Sequence, residues 1–516
     1  MDLPRRFINW IMLAVTTVSY QFNINGTLSR RVQAKKGLRQ GDPISPLLFV
    51  IVMEYLHRML DDLKQDADFR YHSKCKNIGL IDLSFADDLL LFSRGDVNSV
   101  QSLMKKFQKF SRATGLVVNP AKCKLFCSGL DNIHEKELVD ITGFCTGTLP
   151  VKCLGIPLES KRLSARNCTH LAEKIGRRIN HWSAHMLSYA GRIQLIRSVL
   201  FSTANYWLQC LPLPKGVIQR VDSMCRNFLW SGKGEYSRKA PVAWSKICEP
   251  KNLGGLNVID LSRWSKACMS KLLWDLCRER DSLWFRWVHT YYIKGANVME
   301  VQLKPSCSWM LKAILNQREE VSQMAVWNKM LTENKFCKRK IYKQLLSNMQ
   351  DVPWKKLFFD NEARPRAGFT LWMACLDRLA TKARLMKFGI LDNDRCSMCS
   401  DREDLNHLFF VCNRTRSVWQ EILLWLHEDH VPGNWECEMK WMVDRCKHKG
   451  WKTTLLKTAF AETFHAYWLY RNSLIFKSDD IYRNTHRNIS KDIIDKIVQR
   501  VWNKPKLRGK LVPFLL

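Results

Sequence analysis

Apolar residues near the start of the chain recur first at helical and then at strand spacing. Residues 4–18 follow a helical period, and residues 20–24 alternate up to the Asn25-Gly26 pair, which is typical of a tight hairpin turn. Helical spacing returns over residues 47–63, directly after a serine and a proline that suit the first turn of a helix. The pattern predicts a helix, a hairpin and a long buried helix in that order.

Two apolar runs further along the chain enclose a pair of adjacent acids. Residues 78–83 and 89–92 predict two strands, with Asp87 and Asp88 in the tight turn that joins them. Strands this apolar belong in a core, so the turn differs from an ordinary solvated loop. This acidic turn is the first candidate for chemistry.

The segment after the acidic turn continues to mix helix and strand signals. Asp96 suits the N-cap of a helix and Gly115 its C-terminal end. Residues 116–118 predict a short strand, and Cys123 and Cys127 are expected on a further strand as buried thiols.

Beyond about residue 160 the strand signals fade and Trp-rich helical segments dominate. The tryptophans between residues 180 and 290 have two interpretations, base stacking and helix packing, of which helix packing is favoured. A final helical stretch covers residues 453–502, and no repeat of fixed period is visible. Strands in the first third followed by helices predict an α+β fold class.

The charge of the chain points to a class of partner. Its 82 Lys and Arg against 48 Asp and Glu give a formal net charge of +34, and the pI is about 9.7. A bias of this size, spread along 516 residues, predicts a polyanionic partner, and nucleic acid is the first to consider. A membrane surface would require basic residues on one amphipathic helix or beside a lipidation signal, and neither is visible.

Neither a membrane span nor a secretory signal is visible in the sequence. The longest apolar run, residues 11–18, is far shorter than the roughly 18 residues that cross a bilayer. We therefore expect a nuclear or cytoplasmic protein with two to four domains. Its 19 cysteines should be reduced there, so a spaced subset is better explained by metal binding than by disulfides.

The paired acids predict a site for divalent metal ions. Two adjacent carboxylates at the edge of an apolar core repel each other unless a cation compensates them. Paired Mg²⁺ ions about 4 Å apart, held by such carboxylates, stabilise the attacking and leaving oxygens of a phosphoryl displacement. The alternative is an ordinary hairpin turn, in which aspartate is common, but the apolar strands on both sides favour the metal site.

Four cysteine and histidine residues have the spacing of a zinc site. Cys396, Cys399, His407 and Cys412 are separated by two, seven and four residues. Three thiolates and one imidazole fill all four positions of tetrahedral Zn²⁺ and leave none for water, so we expect a structural metal. The alternative is coincidence in a cysteine-rich chain.

Two motifs resemble the palm of a polymerase family. Residues 37–49, GLRQGDPISPLLF, and residues 85–88, FADD, are similar in this order to the second and third palm motifs of non-LTR retroelement reverse transcriptases, specifically those of plants. The segment around Cys396 likewise resembles the zinc-binding domain that follows these polymerases. The resemblance continues through residues 115–122, 149–158, 187–192 and 250–256.

This resemblance implies roles, cofactors and partners. Asp87 would bind catalytic Mg²⁺ or Mn²⁺, and Asp88 would assist it. The implied partners are an RNA template and a DNA primer or target, and the oligomeric state stays open. The nucleotide pocket would be formed by Arg39, Gln40, Gly41 and Lys122, and the primer grip by Leu154 and Gly155.

One feature of the family has no counterpart in this sequence. The family has a further catalytic aspartate on a palm strand well before the Gln-Gly turn, but the sole aspartate before Gln40 is Asp2, which no strand precedes. We therefore expect a truncated RNA-directed DNA polymerase that alone gives at most trace synthesis. The alternatives are a non-catalytic nucleic-acid-binding remnant and a maturase-like or host-adopted splicing factor, and metal-dependent nucleotide incorporation tests the choice between enzyme and remnant.

The expected organisation has four segments. Within the α+β class, an antiparallel palm sheet with its helices comes first and the remaining segments are helical. The segments are a partial right-hand palm at 1–158, a thumb or connection at 159–360, a zinc-binding domain at 361–450 and a tail at 451–516.

Overall fold

A computed structural model divides the chain into two compact units. The first contains Met1–Lys161 and Leu276–Gln302, and the second contains Arg162–Asp275 and Leu303–Leu516. Asp2, considered above as an acidic ligand, lies outside the described residues. The structure describes residues 3–35, 37–182, 187–234, 240–278, 281–305, 307–346, 351–359, 361–448, 450–476 and 486–511.

The strands of the described residues all lie in the first unit and form two-stranded pairs. They are β1 (Ser19–Tyr20), β2 (Asn23–Ile24), β3 (Thr27–Leu28), β4 (Val32–Gln33), β5 (Asp82–Phe85), β6 (Asp88–Leu91), β7 (Lys124–Leu125), β8 (Cys145–Thr146), β9 (Val151–Cys153) and β10 (Ile156–Leu158). The pairs β1–β4, β2–β3, β5–β6 and β9–β10 are antiparallel, and β7–β8 is parallel. Together with the helices they make an α+β fold, as predicted.

Helices account for most of the remaining chain. They are α1 (Arg5–Thr16), α2 (Ser45–Asp61), α3 (Val97–Thr114), α4 (Asn132–Thr142), α5 (Thr169–His181), α6 (Tyr189–Leu195), α7 (Phe201–Cys210), α8 (Lys215–Ser231), α9 (Trp244–Cys248), α10 (Leu261–Cys277), α11 (Leu283–Val288), α12 (Trp309–Leu315), α13 (Arg318–Ser322), α14 (Ala325–Glu333), α15 (Lys338–Leu345), α16 (Pro365–Cys375), α17 (Lys382–Lys387), α18 (Asn413–Trp425), α19 (Trp435–Arg445), α20 (Trp451–Phe476), α21 (His486–Trp502) and α22 (Pro505–Leu511). Turns of π-helix occur at Ile196–Leu200, His289–Ile293 and His407–Val411.

The first elements follow the sequence pattern. The predicted helix, hairpin and long helix are confirmed as α1, β2–β3 and α2. Asn25 and Gly26 have φ of 52° and 87°, the left-handed values that a two-residue hairpin turn of this kind requires. The α3 helix is also confirmed, because Asp96 accepts a hydrogen bond from the Ser99 amide and Gly115 ends the helix.

Two expectations about the next segment are wrong. Residues 116–118 form no strand, because no neighbouring strand pairs with them. Cys123 and Cys127 flank the two-residue strand β7 and are half-buried rather than buried. Burial raises the pKa of both thiols.

The core of the first unit lies between α2, α3 and the β5–β6 hairpin. Its buried members come from α2 and the turn after it, from the residue before β5 and from α3, and the hairpin adds half-buried leucines. The set is Leu56, Met59, Leu60, Leu63, Phe69, Ile81, Leu103 and Phe110, with Leu89 and Leu91 packed against it.

Tryptophans pack the core of the second unit. Trp207, Trp264 and Trp274 are buried, which confirms helix packing as the role of these side chains. The long helix α20 packs against α16 and α21. Among the described helices, none combines the length and the apolar character needed to cross a membrane.

A distant segment returns to the first unit. The indole Nε1 of Trp287 donates to the Lys74 carbonyl over 2.8 Å, and the Asn77 amide donates to the Tyr291 hydroxyl over 3.0 Å. The expected segment 159–360 therefore contributes to both units, and the division into four segments stays a prediction.

Candidate functional site

The β5–β6 hairpin carries the paired acids at its tip. Its strands pair antiparallel, with Phe85 opposite Asp88. Ala86 and Asp87 form the two-residue turn, and Ala86 has a left-handed φ of 50°. Asp88 is therefore the first residue of β6 rather than a turn residue, which shifts the predicted turn by one position.

The two faces of this hairpin differ in burial. On one face Leu89 and Leu91 pack against the core, whereas on the other face Leu83 and Phe85 are 39% and 63% exposed. Residues opposite each other in an antiparallel pair point to the same face, so Asp88 shares the open face with Phe85. The packed face anchors the hairpin and leaves both acids exposed at its tip.

A contact that sequence reasoning missed ties the hairpin to α2. Asp82, the first residue of β5, is buried, and its Oδ1 lies 2.8 Å from Nδ1 of His57. A carboxylate removed from water needs such a partner, because an unpaired buried charge is costly. The sequence signal that could have indicated this contact is the position of Asp82 inside an apolar run.

In the described part of the chain, Asp87 and Asp88 stand as a pair. Among the described residues, the one group of three or more His, Cys, Asp or Glu side chains that could share a metal ion lies around Cys396. Two adjacent carboxylates suit a hard divalent ion, but paired ions require more oxygen ligands than two side chains supply. The remaining ligands would come from substrate phosphates, water or other residues.

Arg39, Gln40 and Gly41 form an exposed turn just before α2. Gly41 has a φ of 91°, which favours glycine, and the Ser45 hydroxyl donates to the Arg39 carbonyl over 2.7 Å. The hairpin contacts α2 at His57, about three helical turns further along. The role of this turn in a nucleotide pocket stays a prediction.

Lys122 and the Leu154-Gly155 pair occupy separate turns. Lys122 is exposed in the 3₁₀ turn Pro120–Lys122. Leu154 and Gly155, with φ of 50° and 77°, connect β9 to β10. Their predicted contacts with a nucleotide and a primer are likewise untested by the geometry.

The structure brings Cys396, Cys399, His407 and Cys412 together. One ligand atom from each lies within 4.8 Å of the others. Cys399 Sγ is 3.0 Å from His407 Nε2 and 3.7 Å from Cys412 Sγ. Three sulfurs and one imidazole nitrogen at these separations fit tetrahedral zinc, whose ligand bonds are about 2.0–2.3 Å long.

Backbone hydrogen bonds shape the turn that carries the first two cysteines. The Cys396 amide donates to the Asp401 carbonyl over 2.6 Å, and the Met398 amide donates to Cys396 Sγ over 3.4 Å. Ser400 closes the turn with a left-handed φ of 69°. An N–H group aimed at a sulfur favours the thiolate form that a metal binds.

The clustered thiols influence each other's protonation. The hydrogen bond between Cys396 and Cys412, followed by burial, raises the pKa of Cys396 to about 12, and the same hydrogen bond lowers the pKa of Cys412. A metal cation bound here would displace the protons of the thiols.

A buried ion pair connects this cluster to α20. Glu403 and Arg471 are 0% and 3% exposed, and Nη2 of the arginine lies 2.5 Å from Oε1 of the glutamate. The Lys382 amide donates to the same oxygen over 2.9 Å. The ion pair supports the backbone between Cys399 and His407. Sequence reasoning missed it because the partners are 68 positions apart.

Two family models match the segments just described. Residues 1–158 match reverse transcriptase (RNA-dependent DNA polymerase), and residues 336–419 match zinc-binding in reverse transcriptase. These matches define a class of protein in which a polymerase palm region precedes a zinc-binding region.

Curated relatives narrow this class to a family. A putative ribonuclease H protein of Arabidopsis thaliana is 32% identical over 154 residues, 30% of this chain and 25% of the relative. The retrovirus-related Pol polyprotein from the type-2 retrotransposable element R2DM of Drosophila melanogaster is 26% identical over 51% of this chain and 24% of the relative. The retrovirus-related Pol polyprotein from the type-1 retrotransposable element R2 of Popillia japonica is also 26% identical, over 56% of this chain and 46% of the relative. Together, the matches support a non-LTR retrotransposon reverse transcriptase with an associated zinc-binding region. The chain spans less than half the length of each of these relatives.

Proposed function

We propose that this chain supplies the part of the palm that carries Asp87 and Asp88 to an RNA-directed DNA polymerase of a plant-type non-LTR retrotransposon. The observation that carries the proposal is the β5–β6 hairpin, which has one packed face and two adjacent exposed carboxylates at its tip. The substrates would be an RNA template and a DNA primer or target, in the nucleus or the cytoplasm.

Each proposed role follows from the chemistry of the side chain. Asp87 would bind Mg²⁺ or Mn²⁺ with the help of Asp88, and the bound ions would stabilise the attacking and leaving oxygens of phosphoryl transfer. Gly41 would let the backbone beside Gln40 approach a nucleotide closely, because it has no side chain. Lys122, together with Arg39 from the pocket turn, would offset negative charge on the triphosphate, and Leu154 and Gly155 would contact the primer.

The zinc-binding region would have a supporting role. Cys396, Cys399, His407 and Cys412 would hold one structural Zn²⁺, since four protein ligands leave no position for water. The metal would fix the fold of this segment and leave the chemistry to the palm.

We expect only trace synthesis from this chain alone. In the residues that the structure describes, no third acidic side chain joins Asp87 and Asp88 in a metal-binding group. The same observation favours the alternative function, a non-catalytic remnant that binds nucleic acid. A polypeptide that supplies a further palm carboxylate in trans should therefore raise synthesis if the polymerase proposal is correct.

A primer-extension assay with Mg²⁺ or Mn²⁺ tests the proposal. The chain is assayed alone and with an added palm fragment, beside Asp87→Asn, Asp88→Asn and the control Asp281→Asn, whose carboxylate is 92% exposed in the same unit. We expect complementation to increase synthesis, either hairpin substitution to abolish it and the control to retain it. Retained nucleic-acid binding without any incorporation under complementation would instead favour the remnant.

A further inference from the structure

Residues 187–192 and 250–256, two segments that resemble the reverse transcriptase family, have no role in the proposed polymerase chemistry. The structure joins both to α16. The Tyr189 ring stacks on Phe369 with centroids 5.1 Å apart, and the Trp372 indole donates to the Gly254 carbonyl over 2.9 Å. Phe369 and Trp372 are themselves in contact, with centroids 5.3 Å apart.

An arginine just after the first segment has no ion-pair partner among the residues that the structure describes. Arg197 lies in the π-helical turn Ile196–Leu200 and is half-buried. Its Nε is buried without a hydrogen-bond partner, and its guanidinium makes no ion pair with any described residue. Burial lowers the pKa of this guanidinium. A guanidinium partly removed from water without an ion-pair partner is disfavoured, and an anionic ligand would reduce that cost.

Nearby arginines are held by the protein itself. Arg178 donates to the Thr203 hydroxyl over 2.6 Å, and Arg192 donates to the Leu229 carbonyl over 3.0 Å. Arg192 lies on α6, which directly precedes the π-helical turn, and Arg178 lies on α5. Arg226 on α8 likewise has a buried Nε without a hydrogen-bond partner, so Arg197 differs from Arg178 in its contacts but is not unique in this region.

The second segment adds another cation. Burial and then the positive charge of Arg197 lower the pKa of the Lys251 ammonium, so the two groups are close enough to repel each other. The neighbouring acid Glu249 is already engaged, since its Oε2 lies 2.6 Å from Lys246 Nζ. Among the described residues, no carboxylate forms an ion pair with Arg197 or Lys251.

We propose that Arg197 and Lys251 bind a backbone phosphate of nucleic acid. A guanidinium offers parallel N–H donors to phosphate oxygens, and an adjacent ammonium adds a second charge. A chain with a net charge of +34 is suited to a polyanion rather than to an isolated phosphate ion. The site belongs to the second unit and Asp87 to the first, so the proposal does not depend on polymerase activity.

Binding of labelled 30-nucleotide RNA, single-stranded DNA and duplex DNA to the full chain at several salt concentrations tests the site. The variants are Arg197→Gln, Lys251→Gln, the double variant and the control Lys215→Gln, which removes an exposed cation of α8 that forms no ion pair with the described residues. Each single substitution should weaken binding about five- to tenfold near 0.1 M salt and reduce the slope of log K against log salt by about one. The control should change binding less than about twofold.

Matching affinities and salt slopes for Lys251→Gln, Arg197→Gln and the control would overturn the proposal. Lys251 is exposed, so its variant should fold normally and keep the test valid if Arg197→Gln does not. If inorganic phosphate stabilises the wild-type chain against heat but not the variants, while RNA and DNA affinities stay unchanged, the site takes small anions and the nucleic-acid assignment is wrong. Nucleotide incorporation is measured on the same samples, so that the result for phosphate binding can be distinguished from the result for the polymerase proposal.

Discussion

Two buried glutamates of the second unit are paired with arginines that lie far away in the sequence. Glu462 is 1% exposed and accepts hydrogen bonds from both the backbone amide and the guanidinium of Arg364, with Nη2 and Oε2 2.6 Å apart. Glu403 and Arg471 form a second such pair. Removing one partner leaves a charge that neither water nor a counterion stabilises, which costs far more than losing an exposed pair.

Arg471→Met should lower the free energy of unfolding of the second unit by about 3–5 kcal/mol, because Glu403 is then buried without a counterion. Urea denaturation followed by tryptophan fluorescence measures the change. Lys496→Met, which breaks an exposed pair with Asp492, should cost less than about 1 kcal/mol. Equal losses in the two variants would show that Glu403 does not depend on its arginine.

His465 makes the stability of the second unit depend on pH. Burial and then the charge of Arg364 lower the pKa of His465 to about 4, whereas an unfolded histidine titrates near 6.5. Between these values the unfolded state binds more protons, so stability is lost as pH falls from about 6.5 towards 4, by about 3 kcal/mol in total. Unfolding measured across this range should show a shallower loss in His465→Asn, while the exposed control His448→Asn keeps the wild-type profile. Parallel profiles for all three proteins would contradict this assignment.

At the scale of elements, local signals predicted local structure. The limits of α3 were predictable because Asp96 and Gly115 act on the adjacent helix ends. The strand expected at residues 116–118 was not, since a strand depends on a partner that the local sequence does not contain. The turn of the acidic hairpin was displaced by one residue, because nothing in the sequence indicated that Ala86 takes a positive φ.

In the candidate sites, too, local features were predictable from the sequence and tertiary contacts were not. Cysteine and histidine spacing predicted the zinc cluster, because its ligands lie within 17 consecutive positions of one segment. Its support by Arg471, and the contact of Asp82 with His57, depend on tertiary packing and were missed.

Zinc content tests the cluster as a structural element. The purified chain should contain one Zn²⁺, and chelation should lower the Tm of the second unit by at least about 5 °C, because metal binding contributes directly to folding. Cys412→Ser should lose the metal, while Cys437→Ser, at an exposed cysteine outside the cluster, should keep it. Metal analysis and thermal unfolding give both readouts. A full zinc complement in Cys412→Ser would exclude this ligand set.

At the scale of the whole molecule, the chain leaves the first unit after Lys161 and returns to it for Leu276–Gln302. Sequence pattern could not predict this return, because the residues that meet are 213 and 214 positions apart. The contacts are made by aromatic side chains, which combine a large apolar surface with a polar group that reaches backbone atoms. The tryptophan and tyrosine content of this stretch therefore links distant parts of the chain as well as packing helices.

The returning segment should stabilise the loop that it contacts. In Tyr291→Phe the Asn77 amide loses its hydrogen-bond acceptor, a loss of about 1 kcal/mol, so its hydrogen exchange should accelerate about fivefold. Mass spectrometry of the full chain measures exchange in both units at once. Tyr55→Phe is the control, because this ring is in the same unit and its hydroxyl makes no hydrogen bond with the described residues. If hydrogen exchange at residues 72–77 stays the same in Tyr291→Phe, or rises equally throughout the chain, the returning segment does not stabilise this loop. A rise confined to residues 72–77 would make Leu276–Gln302 an integral part of the unit that contains the palm.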